Sequence, residues 1–298
     1  MISVLIPTYD YNTLPLVTEL HRQLLAENTN FEIIVQDDAS PVNENTNLNN
    51  TINQLSNCRF ERNDANLGRG QNRNSLIQKA KFDWVLLMDC DMFPQSENFI
   101  KTYLEQIKNA TNSVVYGGLL YQNEKPSKEQ LLRWVFGKSR EEIPLSKRLS
   151  NPYHYCLISN ILVRRDLLLA YPFKAEIYRY GYEDIVLILG LKKQQVPIWH
   201  IENAAFHLNL ESSAIFLDKF HNSLQNLKWV LDHQIIQAED TALTRMYGKL
   251  RKFGLTRITA FSFGLLQSLM TKQLLSAKPS LLVFDLYRLG YFCQLNLR

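Results

Sequence analysis

The N-terminal third of the chain alternates short apolar runs with stretches of helical spacing, and each apolar run stops on polar residues. Ser3-Val4-Leu5-Ile6-Pro7, Phe31-Glu32-Ile33-Ile34-Val35-Gln36, residues 59–62 and Trp84-Val85-Leu86-Leu87-Met88 read as strands, and residues 14–27, 45–55 and 69–81 as helices. Buried strands separated by helices require right-handed crossovers, so the pattern predicts an α/β fold with a mostly parallel central sheet flanked by helices. Open sheets of this kind bind ligands beyond the carboxyl ends of their strands. The polar residues that follow Ile6, Val35 and Met88 fall on that edge, so the functional site is expected there.

The rest of the chain is less regular. Helices are expected over 97–109, 182–193 and 212–233, strands over 114–121 and 156–163, and a strand with a loop over 197–207. Residues 122–149, with Trp134 and many charges, read as a lid-like insertion. With 298 residues, 46% of them hydrophobic and 21% charged, the chain can fill a real core, which excludes disordered and collagen-like classes.

The formal net charge of +4 hides a split. Residues 241–298 carry nine Lys or Arg against one acid, Asp285, a net +8; the first 240 carry 24 against 28, a net −4. The division expected is a catalytic domain over 1–240 and a basic amphipathic helical tail over 241–298. In the tail, Ile258, Phe261, Leu265, Leu266, Leu269 and Met270 recur at helical spacing, as do Leu282, Leu286, Leu289 and Phe292. Such helices either pack on the body or lie against an anionic membrane surface; nucleic acid is not expected, because no binding motif accompanies the charge.

Cys58, Cys90, Cys156 and Cys293 form no CxxC pair and read as reduced core residues. No signal peptide is expected, and the uncharged run 258–271 of the tail is too short to span a bilayer. The expected location is cytoplasmic, peripheral on the inner face of the plasma membrane.

Four strand ends carry chemistry. Asp89-Cys90-Asp91 follows a buried strand, and two carboxylates at this spacing can point to one side and hold a hard divalent cation. Pro7-Thr8-Tyr9, Asp37-Asp38-Ala39-Ser40 and Asn66-Leu67-Gly68-Arg69-Gly70-Gln71-Asn72-Arg73-Asn74 close the others. Read singly, these are turns and helix caps. Read together they suggest a nucleotide cradle: an Asp to accept from a base N–H, Tyr9 to stack, and Arg69 or Arg73 to meet phosphate near a helix N-terminus. Glu183 and Asp184 open a helix, where they either cap it or supply a base.

SVLIPTYDYN, IIVQDDAS, NLGRGQNRN and WVLLMDCDMFP, in this order, resemble the successive motifs of glycosyltransferase family 2, of GT-A fold. Gly181-Tyr182-Glu183-Asp184-Ile185 resembles the Glu-Asp motif of galactosyltransferase-like and chondroitin-polymerase-like members, and Ala204-Ala205-Phe206-His207 their metal-binding histidine. The resemblance implies that Pro7, Tyr9 and Asp38 meet the nucleoside, that Asp89 reaches the ribose or the metal-bound diphosphate, and that Asp91, with Asp89 and His207, binds Mn2+ or Mg2+. His200 competes with His207 for that role. It implies Asp184 as the base, with Glu183 holding sugar hydroxyls, and hence inversion during transfer from a nucleotide sugar, with uridine as the base favoured. The acceptor expected is a saccharide or lipid-linked saccharide of bacterial surface polysaccharide synthesis. Ala39 departs from the small Gly or Ser usual after the double Asp.

Rival readings meet specific obstacles. A phosphatase with an Asp nucleophile would place DxD near the start of the domain, a sugar-phosphate nucleotidyltransferase would put a Gly-rich loop where Pro7-Thr8-Tyr9-Asp10 stands, and a silent binding protein would not need all four acids. Neither GxGxxG nor GxxxxGK occurs, against NAD and P-loop enzymes.

Overall fold

The computed structural model describes residues 1–109, 112–177 and 181–297. They form two compact units. One contains residues 1–122, the stretch that opens at Glu141, and Glu183–Asn209; the other contains Asn123–Arg140, a short piece around Gly181, and the chain from Leu210 onward.

The strands lie in the first unit: β1 (Ile2–Thr8), β2 (Phe31–Asp37), β3 (Cys58–Arg62), β4 (Trp84–Met88), β5 (Met92–Pro94), β6 (Val114–Tyr116), β7 (Leu119–Leu120), β8 (Asn160–Arg164), β9 (Trp199–His200) and β10 (Ala205–His207). Among the described residues, seven of them form one sheet in the order β3-β2-β1-β4-β8-β6-β9. The β3-β2-β1-β4 half is parallel throughout, as continuous apolar runs require, and β8 runs antiparallel to both β4 and β6. Every residue of β4 is buried, in a core that joins Leu5, Ile34, Val85 and Leu87 to Leu76 and Ile77 of the helix Arg69–Lys79. Filling that core supplies the main stabilisation, at roughly 25 cal/mol for each Å² of apolar surface removed from water.

A second sheet of order β5-β10-β7 pairs β10 antiparallel to β5, with His207 opposite Met92, and parallel to β7. The run expected as one strand over 114–121 is thus two, in different sheets. The break falls at Gly117-Gly118, where Gly118 has φ +105° and an added Cβ would stand 2.9 Å from the Arg148 guanidinium. The strand expected over 156–163 forms only from Asn160, and the helix expected over 45–55 is an α-helix, Glu44–Asn50, followed by a 3-10 turn.

The second unit is helical: Leu131–Arg140, Ser213–Asp232, Ala242–Lys252, Thr256–Leu274 and Leu281–Leu295. Ser212, Thr241 and Ser280 each cap the following helix by accepting from a backbone N–H. Leu132, Phe216, Leu217, Phe263, Leu274, Phe284 and Tyr287 form its core. Leu132 shows that the segment expected as a lid contributes a packed helix. Residues 145–150, from the same segment, form a helix that belongs to the first unit.

Candidate active site

The turn after β4 decides where the two acids of the DxD point. Met92 N donates to the Asp89 carbonyl at 3.1 Å, so the chain reverses at once into β5. Asp89 turns toward the helix Arg69–Lys79, where its carboxylate accepts from Arg73 at 2.6 Å and Arg69 at 3.0 Å. Asp91 turns toward β10, because the register that sets Met92 opposite His207 brings Asp91 Oδ2 within 3.4 Å of His207 Nε2. Without a bound ion each carboxylate has a partner of its own, Asp89 the two arginines and Asp91 the His207 imidazole. Among the described residues, no three His, Cys, Asp or Glu side chains gather into a metal-holding set.

Arg73 is 2% exposed and lies between two acids, 2.6 Å from Asp89 and 3.3 Å from Glu183, with its guanidinium 5.5 Å from the centre of the Phe173 ring. A guanidinium so enclosed neutralises the buried carboxylates on either side of it. Arg69 lies nearer solvent and also reaches Glu183, at 3.6 Å. Gly70 permits this close assembly: an added Cβ would sit 3.3 Å from Phe173 and 3.9 Å from Glu183. Burial acts to raise the Asp89 pKa, but Arg73 and Arg69 outweigh it and hold the carboxyl below its usual value.

Glu183 and Asp184 begin the helix Glu183–Lys193. Glu183 is buried, and its Oε2 has no hydrogen-bond partner among the described residues. Asp184 accepts from Ile185 N at 2.7 Å. Burial and then the neighbouring Glu183 raise the Asp184 pKa to about 6, against the opposing pull of Arg69 and Arg73. A carboxyl poised there changes protonation state in the range where a general base is most useful.

Asp38 serves the loop that carries the arginines. Its carboxylate accepts from Leu67 N at 2.8 Å, Gly68 N at 2.9 Å and Asn63 Nδ2 at 2.9 Å, while its own amide donates to the Thr8 carbonyl at 2.9 Å. It thereby ties the ends of β1 and β2 to the start of the helix Arg69–Lys79. Pro7 lies opposite Gln36 in the β1–β2 pairing, and Tyr9, just beyond β1, is 55% exposed. Ala39 adopts φ +61°, a left-handed backbone that costs an L-residue about 1 kcal/mol or more and explains why glycine suits this position.

The two histidines differ sharply. His200 is buried and engaged, Nε2 lying 2.9 Å from the Pro152 carbonyl and Nδ1 3.5 Å from Arg148, and burial lowers its pKa to about 4. His207 faces Asp91, and its Nδ1 is buried without a hydrogen-bond partner among the described residues. Tyr121 lies against the His207 ring at 5.3 Å; its hydroxyl donates to Glu141 and its amide to Glu142 at 2.8 Å. Tyr11 lies near Asp91: burial, then Asp91, then Cys90 push its phenol up to about 12. Tyr11, Tyr121 and Glu141 were not foreseen, since aromatic and acidic residues in irregular segments carry no periodic signal.

The family model Glycosyl transferase family 2 matches residues 3–171. No curated protein matches the chain. The mannosyltransferase PcManGT of Pyrobaculum calidifontis, solved in complex with GDP-Man and Mn2+, aligns at TM-score 0.58 and 12% identity, over 99% of this chain and 85% of that one. TarS of S. aureus aligns at TM-score 0.49 and 21% identity, over 74% of this chain and 38% of that one. TarS 1-349 in complex with UDP aligns at 0.48 and 21%, over 76% and 65%. The chain thus spans less than two thirds of these two TarS chains.

Proposed function

The chain belongs to glycosyl transferase family 2 and is a glycosyltransferase, and from that premise we propose that it moves a sugar, with inversion, from a nucleoside-diphosphate sugar to a saccharide hydroxyl, with Asp184 as the base. The observation that carries this reading is a half-buried carboxyl with a pKa near 6, set on the same unit as two further acids beyond a buried strand end. In the reaction the acceptor oxygen bonds to the anomeric carbon, the bond from that carbon to the diphosphate oxygen breaks, and the acceptor proton passes to Asp184. One base and one displacement lead to inversion. Glu183, held by Arg69 and Arg73, fixes the position of its neighbour and faces sugar hydroxyls.

Asp91 and His207 would hold a divalent cation, Mn2+ or Mg2+, together with donor oxygens. One carboxylate and one imidazole nitrogen, Nε2, facing it at 3.4 Å suit such an ion, and two protein ligands leave room for the diphosphate. When bound, the ion would act as a Lewis acid toward the leaving diphosphate. The like-folded PcManGT was solved with GDP-Man and Mn2+, which supports a nucleotide sugar and a divalent ion here. Tyr9 and Asp38 border the nucleoside side of the site, where the family resemblance favours uridine. The same resemblance favours a saccharide or lipid-linked saccharide acceptor in surface polysaccharide synthesis.

The test is a pair of variants assayed with a panel of nucleotide sugars and Mn2+. Asp184→Asn binds nucleotide like the parent and loses transfer by roughly a thousandfold; transfer at the parent rate overturns the base assignment. Asp91→Asn loses the metal-dependent part of nucleotide binding, and binding that keeps its full response to Mn2+ overturns the metal assignment.

A further inference from the structure

The helix Thr256–Leu274 is apolar on two opposite faces. Ala260, Phe263 and Leu274 turn into the core of the helical unit. Ile258, Phe261, Leu265 and Leu269, spaced by three, four and four residues, form a second stripe on the other side, with exposures of 62% to 69%. On the helix Leu281–Leu295, Leu282 is 70% exposed, and Phe253 in the preceding turn is 72% exposed. Phe292, expected in the apolar stripe of that last helix, is fully buried instead. One apolar face of this helix is covered by the core of its own unit, and the second, a stripe of exposed aliphatic and aromatic side chains, marks a surface that something covers.

We infer that this face docks on an anionic lipid surface, with Phe253, Ile258, Phe261, Leu265, Leu269 and Leu282 entering the boundary between headgroups and acyl chains. Charge selects this occupant over a second copy of the chain. Lys249, Arg251, Lys252 and Arg257 flank Phe253 along the chain, Lys272 follows Leu269 three residues on, and Lys278 precedes Leu282 by four. The single acid of the segment, Asp285, is already engaged by Arg140 at 2.8 Å and lies 3.7 Å from Arg288. Two such faces would repel, whereas anionic headgroups complement them. The geometry is that of a helix lying in the interface plane: among the described residues no helix is long and apolar enough to cross a membrane. The inference stands apart from the transferase reading, since vesicle binding is measured without donor or acceptor.

The test is co-sedimentation of the full chain with vesicles of phosphatidylcholine alone and with about a third phosphatidylglycerol. The parent binds the anionic vesicles, and binding falls on raising salt to about 0.5 M. Phe261→Ser with Leu265→Ser lowers that binding by roughly tenfold at unchanged melting temperature, while Phe261→Leu retains it. Arg251→Glu with Lys252→Glu, which leaves the stripe intact, also lowers it. Serine variants that bind like the parent overturn the proposal, as does equal binding to neutral and anionic vesicles. So does a parent dimer that dissociates on serine substitution, which would assign the face to a second copy.

Discussion

The two units break opposite rules of burial. In the sheet unit, charges lie inside: Arg73, Glu183 and Asp38 are all at most 5% exposed. In the helical unit, large apolar side chains lie outside, with Phe261 and Leu265 each 69% exposed. Exposed leucines scattered singly would need no explanation, but an aligned stripe does, and so does a guanidinium enclosed by carboxylates. The difference teaches where each unit meets its partner. A polar partner that must be oriented calls for buried, mutually neutralised charges that hold one geometry, and a fluid partner without fixed geometry calls only for an apolar face with charges around it.

The largest effect expected from this contrast is on Arg73. Removing it leaves Asp89 and Glu183 facing each other's charge in a poorly solvated space, so Arg73→Met should destabilise the fold by about 3–5 kcal/mol, measured by urea denaturation. Arg73→Lys restores the charge but not the two-armed geometry and should recover only part of the loss. A loss below about 1 kcal/mol for the Met variant would mean that water already reaches these acids, and the buried half of the comparison would fail.

The next effect concerns pH. Burial and Glu183 favour the protonated form of Asp184 and place its pKa at about 6. A base must be ionised, so transfer should be nearly independent of pH above that value and fall about tenfold for each unit below it. Removing Arg69, one of the two cations that favour ionisation, should move the break upward in Arg69→Ala. A rate profile whose acid limb stays in place in Arg69→Ala would show that this arginine does not act on the base. The ionisation of a helical-unit surface residue should leave the limb where it is.

Much of this arrangement was legible in the sequence, for identifiable reasons. Continuous runs such as Trp84-Val85-Leu86-Leu87-Met88 need cover on both faces, and a crossover sheet supplies it, so a mostly parallel sheet followed from apolar runs and spacing, although the order of its strands did not. Polar residues at strand ends then marked the site edge. The divergence of Asp89 and Asp91 was not legible, since it depends on the hydrogen bond from Met92 N to the Asp89 carbonyl, a turn that two-residue spacing does not encode. The distinction between His200 and His207 was equally hidden: it follows from the β5–β10 register and from the Pro152 carbonyl that occupies His200. Tyr121 and Glu141 meet His207's side of the site through an irregular stretch in which no residue-level pattern announces a contact. In the tail, helical spacing identified the Ile258-Phe261-Leu265-Leu269 face but left open whether it packs on the body, because Phe261 and Phe263 are both apolar and only packing shows that Phe263 is the buried one.

The smallest effect is the sharpest check on the other half of the comparison. Leu265 makes its face by being exposed, so removing its side chain uncovers no cavity and leaves no polar group unsatisfied; Leu265→Ser alone should change unfolding free energy by no more than about 0.5 kcal/mol. Phe263, two residues away and 3% exposed, lies 5.1 Å from the Tyr287 ring in the core, and Phe263→Ala should cost about 3–5 kcal/mol in the same measurement. The pair uses one helix, one solvent and neighbouring residues, so a general weakening of the helix would move both. If Leu265→Ser costs as much as Phe263→Ala, the outer stripe is part of a packed core within this chain, and the face has no need of a lipid surface. If the two separate as expected, the outer stripe contributes nothing to folding, and its regular spacing, maintained over three turns beside six cations, has to be explained by what it binds.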